Sequence, residues 1–209
     1  MGRTQAFVIW AGLIIAMIVP MVAAASSPLL AWRDPIYIIA GLSGVLAFVL
    51  LLLQPLLAGG ALPALSARRS RQFHRWVGIM LVVTVVTHVV GLWITSPPDV
   101  IDALLFVSAT PFSAWGVVAM WAIFIAALLA ALRKALRLRP HIWRLAHTTL
   151  ATVTVIGTVV HALLIDGTME MISKVLLCVL VFGATVKVVF NTLSISTSLS
   201  KSHSKKRPL

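Results

Sequence analysis

Acidic residues are almost missing from this sequence: Asp34, Asp99, Asp102, Asp166 and Glu170 are the five among 209 residues. Charge of either sign is scarce, at 11%, where soluble domains carry about a quarter. So few charges cannot hold a globular surface in water. With 60% hydrophobic residues, the expected surroundings are lipid. Cysteine occurs once, as Cys178 within an apolar run. That excludes an internal disulfide framework and any Cys-rich metal site. A Gly-rich dinucleotide fingerprint is also lacking.

What is present in excess is positive charge, +12 net. Nucleic acid is not the expected partner, because the basic residues form no face with interleaved aromatics. They sit in short runs between apolar stretches, as in cytoplasmic loops of membrane proteins. A bilayer core needs about 20 apolar residues in a helix. Six stretches meet this, at 6–25, 36–57, 74–94, 115–132, 146–165 and 171–190. The runs are continuous rather than alternating, which excludes membrane strands. The expected fold class is all-α, an integral membrane bundle of six transmembrane helices in one domain, 1–190. A Ser- and Lys-rich basic tail without regular structure is expected at 191–209. Trp93, Trp115 and Trp143 fall where an interfacial aromatic belt belongs.

Charge sets the expected orientation. Arg68, Arg69, Arg71 and Arg75 lie between the second and third segments. Arg133, Lys134, Arg137, Arg139 and Arg144 lie between the fourth and fifth, and Lys201, Lys205, Lys206 and Arg207 follow the sixth. In a six-helix topology all three groups share one side and all the acids share the other. Both termini are then cytoplasmic, in a multi-pass membrane protein. Arg33 and Lys174 are exceptions, expected to snorkel from outer helix ends. The first segment has a second reading: Arg3, an apolar stretch and Val22-Ala23-Ala24-Ala25-Ser26 also fit a cleaved signal peptide. Its apolar run is long for that, which favours a retained helix.

Histidines carry the chemistry. His74 and His88 are 14 residues apart on the third segment, and His147 and His161 are 14 apart on the fifth. Fourteen residues fall about 40° short of four full turns, with a rise of about 21 Å. Each pair therefore points to one side of its helix, at two depths. The two segments run the same way, so His74 can meet His147 near the cytoplasm and His88 can meet His161 near the outside. Two bis-histidine sites stacked across a membrane suit two haems, since an electron-carrying haem iron takes one imidazole on each face. With no Cys-x-x-Cys-His motif, these are b-type haems, held without covalent attachment. A lone intramembrane histidine would more often be a core residue or a proton relay. A zinc or copper transporter would cluster its ligands, with carboxylates, cysteines or methionines nearby, at one depth. His141 falls on the wrong side of its helix, and His203 lies in the tail. Arg71, Arg75 and Arg144 flank the inner pair and could hold haem propionates, or serve only as topology markers. Gly78, Gly91, Gly157 and Ala162 would leave room for a macrocycle, or simply pack helices.

With RRSRQFHRWVGIMLVVTVVTH and HIWRLAHTTLATVTVIGTVVH, the chain resembles the ferric reductase-like transmembrane domain family. That family includes the membrane parts of NADPH oxidases and ferric reductases. It also includes the haem-binding subunit of the bacterial periplasmic methionine sulfoxide reductase system. The resemblance implies that His74 and His147 ligate the inner haem, and His88 and His161 the outer one. It implies electrons moving outward from a cytoplasmic flavin or quinol. The larger members continue into a flavin- and nicotinamide-binding domain. This sequence stops soon after the sixth segment, so FMN, FAD or quinone is expected from a separate cytoplasmic reductase or quinol donor. Ferric iron or a periplasmic oxidoreductase is the expected acceptor. The alternatives left open are a di-haem cytochrome b anchor of another oxidoreductase complex, and a non-redox transporter or scaffold.

Overall fold

The computed structural model describes residues 2–204, with side chains for 2–191. Among the described residues there are seven α-helices, one short 3-10 turn (Pro28–Leu30) and no strand. The helices are α1 (Arg3–Ala25), α2 (Pro35–Ala58), α3 (Ala67–Thr95), α4 (Pro97–Leu104), α5 (Pro111–Leu132), α6 (Pro140–Leu164) and α7 (Met171–Ser204). All but α4 are long and apolar enough to cross a membrane. The protein is an all-α, multi-pass membrane protein. Its outer surface agrees with that, since Phe7, Ile15, Met80, Val179 and Phe182 are all exposed.

Helix starts follow local chemistry. Four helices open on proline, at Pro35, Pro97, Pro111 and Pro140. Proline suits the first helical position, where its missing N–H has no partner to lose. The Asp34 carboxylate accepts from the Ile36 N–H at 2.7 Å, and the Ser66 hydroxyl accepts from the Arg69 N–H at 3.4 Å. At α7 the Glu170 carboxylate accepts from the Ser173 and Ile172 N–H groups. Those bonds favour its charged form and hold it below the usual carboxylate range.

Two spans begin earlier than hydropathy predicts. The third starts at Ala67 rather than at 74, and the fifth at Pro140 rather than at 146. Hydropathy reports the reach of lipid, while the helix extends until its cap. The arginines of both joints therefore include helical residues. At the other end, Ser96 ends α3 and α4 follows at once. The 191–209 tail lies partly outside the described residues. Its backbone continues α7 as far as Ser204, and 205–209 are not described.

Two hairpins dominate the packing, α2 with α3 and α5 with α6, while α7 lies against α2, α6 and α1. The core joins Phe48, Leu51 and Leu52 of α2 to Leu177 and Val181 of α7, with Leu81 and Val155 closing the sides. The buried Ser70 hydroxyl donates to the Leu57 carbonyl at 2.6 Å, tying the start of α3 to the end of α2. Trp10 donates to the Pro63 carbonyl, which brings the first turns of α1 beside the α2–α3 joint. Lys174 does not snorkel. It is 3% exposed, and its Nζ donates to the Ile165 carbonyl at 2.7 Å, capping the C-terminal end of α6. A cation there also meets the negative end of the helix dipole. Arg33 is exposed and lies over the Tyr37 ring.

Candidate functional site

The four intramembrane histidines fall on α3 (His74, His88) and α6 (His147, His161). These two helices scarcely touch one another; α3 leans on α2 and α6 on α5. Yet the His74 and His147 rings face across the gap, with centres 6.3 Å apart and planes at 74°. His88 and His161 stand 14 residues further along the same two helices. The His74 and His147 rings thus approach across a gap between two helices whose backbones stay apart.

Each hairpin partner holds the rings from behind. His88 Nδ1 lies 2.8 Å from the Ala40 carbonyl, and His161 Nδ1 lies 2.8 Å from the Phe112 carbonyl. His74 Nδ1 lies 3.2 Å from the Gln54 carbonyl, and the Gln54 side-chain amide donates back to the His74 carbonyl at 3.4 Å. A carbonyl can only accept, so in these three rings Nδ1 carries the proton. In the neutral ring Nε2 then keeps its lone pair, the arrangement that a metal-ligating histidine needs. The matching carbonyl for His147 is that of Ala126. Here Nδ1 is buried and makes no well-formed hydrogen bond among the described residues. Instead the His147 ring stacks on Trp143, with centres 5.3 Å apart and planes within 10°. The Arg133 guanidinium covers Trp143 at 4.2 Å.

A haem fits these residues on three counts. A metal–imidazole bond is about 2 Å; two such bonds, plus the distance from nitrogen to ring centre on each side, account for rings centred 6.3 Å apart. The donors are imidazole pairs at two depths; among the described residues no group of three or more His, Cys, Asp or Glu side chains could hold a metal ion. At the basic end, the buried Trp143 Nε1 is a donor without an acceptor among the described residues. A carboxylate-bearing group is a strong acceptor for such a donor.

Some expected roles look different in three dimensions. Trp143 stacks on His147 and Arg133 lies over Trp143, so both stand beside the inner pair. Sequence reasoning missed both, although their position in the α5–α6 joint was a signal. Arg71, Arg75 and Arg144 lie near the inner pair in sequence, exposed and without an ion pair among the described residues. The small residues serve the hairpins. A Cβ on Gly91 would meet Ala40, one on Gly157 would meet Trp115 and Ala119, and one on Gly78 would approach Gln54. None of these neighbours lies across the α3–α6 cleft. His141 is exposed on the first turn of α6, and the side chain of His203 lies outside the described residues.

The sequence model of one family, described as ferric reductase like transmembrane component, matches residues 43–158. That stretch runs from α2 into α6 and contains His74, His88 and His147; His161 follows three residues after its end. Searches of curated proteins and of solved structures gave no match.

Proposed function

Because the chain belongs to the ferric reductase like transmembrane component family, we propose that it carries electrons across a bacterial inner membrane between two b-type haems. His74 and His147 would hold one haem at the basic end, and His88 and His161 the other. The observation that carries this reading is the set of paired imidazoles, three of them anchored through Nδ1 so that Nε2 is free. A haem with two imidazole ligands supplies one-electron chemistry and leaves no open iron position. The protein's own part is to fix both rings of each pair and to keep water from the cleft. The hairpin carbonyls orient the rings, and the apolar faces of α3 and α6 provide a low-dielectric wall. A reduced-minus-oxidised absorption spectrum of the purified protein tests the reading, which requires paired b-type bands. A featureless difference spectrum would leave it without support.

The basic end is the entry side under this proposal, facing the cytoplasm. Arg68, Arg69, Arg71 and Arg75 are exposed on α3, and Arg133, Lys134, Arg137, Arg139 and Arg144 are exposed around the α5–α6 joint. An acidic face on a flavin-bearing reductase would complement this surface; a membrane quinol is the other donor class. On the opposite side, ferric iron or a periplasmic oxidoreductase would receive the electron.

Because these residues carry no dinucleotide fingerprint, NADPH or NADH alone is expected to leave the protein oxidised. Adding a flavin reductase with free flavin, or a quinol, is expected to reduce it. Reduction by a docked reductase should slow as salt rises, because at 0.1 M charges beyond about 10 Å are screened. Stopped-flow absorbance reads both effects. Rapid reduction by NADPH in flavin-free protein would contradict the need for a partner.

A further inference from the structure

The two hairpins repeat one another. Ala40 and Phe112, whose carbonyls hold the outer histidines, are 72 residues apart; so are Gln54 and Ala126. The histidines themselves are 73 apart, His74 with His147 and His88 with His161. One helix of each hairpin therefore offers carbonyls to the other in the same register. One helical turn after each outer carbonyl comes a glycine, Gly44 on α2 and Gly116 on α5. These glycines lie directly against the histidine rings. A Cβ on Gly44 would stand 2.9 Å from His88 Nδ1 and 3.0 Å from Cε1. A Cβ on Gly116 would stand 2.7 Å from both Nδ1 and Cε1 of His161.

At the inner level the equivalent positions, four residues after Gln54 and Ala126, are Ala58 and Ala130. There the carbonyl bond is longer, 3.2 Å for His74, and not well formed for His147. Glycine accompanies the short bonds and alanine the loose ones.

We infer that Gly44 and Gly116 are positioning residues of the outer ligand pair: by lacking a side chain they let His88 and His161 seat on the Ala40 and Phe112 carbonyls, which sets both rings for haem. The inference rests on the haem-ligand reading above. An added methyl group has nowhere to go, because the ring is held by the carbonyl on one edge and would be held by the haem iron on the other. Close packing passes such an overlap to the nearest movable group, and that group is the imidazole. The two outer ligands are thus held rigidly by backbone, while the inner pair has more freedom.

The test uses the full chain produced with ample haem, in the forms Gly44→Ala and Gly116→Ala. Haem per chain is read by pyridine haemochrome, and each haem by low-temperature absorption, electron paramagnetic resonance and redox titration. Glycine to alanine favours a helix in itself, so a general weakening is not expected. Haem content should fall from two per chain to one, with the inner haem's spectrum and potential unchanged. Two haems with only the outer one shifted in spectrum and potential would also support the role. Gly12→Ala and Gly183→Ala serve as controls, since nothing lies within 4 Å of a Cβ at either, and they should keep both haems unaltered. Variants that keep two unaltered haems would overturn the inference. So would loss of both haems together or failure to recover folded protein, because either would mark damage to the hairpin rather than displacement of one ring. A wild-type chain without haem would instead refute the ligand reading on which this rests.

Discussion

His161→Ala is expected to leave a folded chain with one haem, and His88→Ala is expected to remove that same haem. The two residues sit on different helices, so a shared loss is a demanding result. Each substitution removes one imidazole and frees one backbone carbonyl, that of Phe112 or Ala40. A net hydrogen bond contributes about 1 kcal/mol, a modest cost beside the packing of α2 on α3 and α5 on α6. The effect should therefore be local. The inner pair lies about 21 Å away along the helices, so a haem held there should keep its spectrum. Electron delivery to any external acceptor should fall to background, although the inner haem would still accept electrons. If His74→Ala and His88→Ala removed the same haem instead, the pairing across α3 and α6 would be wrong.

The complementary expectation concerns entry. His74→Ala and His147→Ala should both remove the inner haem and leave the outer one spectroscopically intact. Reduction by a soluble flavin donor should then be lost, because the outer pair lies too far from the basic surface. The two variants should differ in their cost to the fold. His74 Nδ1 is bonded to the Gln54 carbonyl, whereas His147 Nδ1 makes no well-formed bond of that kind. What His147 does lose is the Trp143 ring stacked on it. Thermal unfolding in detergent should therefore show the larger loss for His74→Ala. Equal loss of both haems in either variant would argue against two separable sites.

The six spans and the approach of His74 to His147 were legible because both depend on spacing alone. A run of apolar residues reports lipid, and a 14-residue interval reports one helix face. The starts of α3 and α6 were less legible, since Ser66 and Pro140 act through capping while hydropathy sees only lipid. The glycines that matter were missed for a different reason. Gly78, Gly91 and Gly157 stand near the histidines in sequence but pack against α2 and α5. Gly44 and Gly116 are remote in sequence and press on the rings. A glycine's role is set by the partner opposite it, which no single helix reveals. The anchoring carbonyls are hidden more completely, because every residue has one. The Arg133–Trp143–His147 stack lay within reach, since all three flank one joint. For Lys174 a place near an outer helix end suggests snorkelling, whereas its partner is the Ile165 carbonyl at the open end of α6.

The most direct test of the central claim is the haem-to-protein ratio. Protein produced with ample haem, purified in detergent and quantified by amino-acid analysis, is assayed as the pyridine haemochrome. The account predicts a ratio of two, all of it extractable b-type haem, with two resolved steps in a redox titration. A ratio near one would leave a single bis-histidine site standing. A ratio near zero would contradict the claim that His74, His88, His147 and His161 are haem ligands.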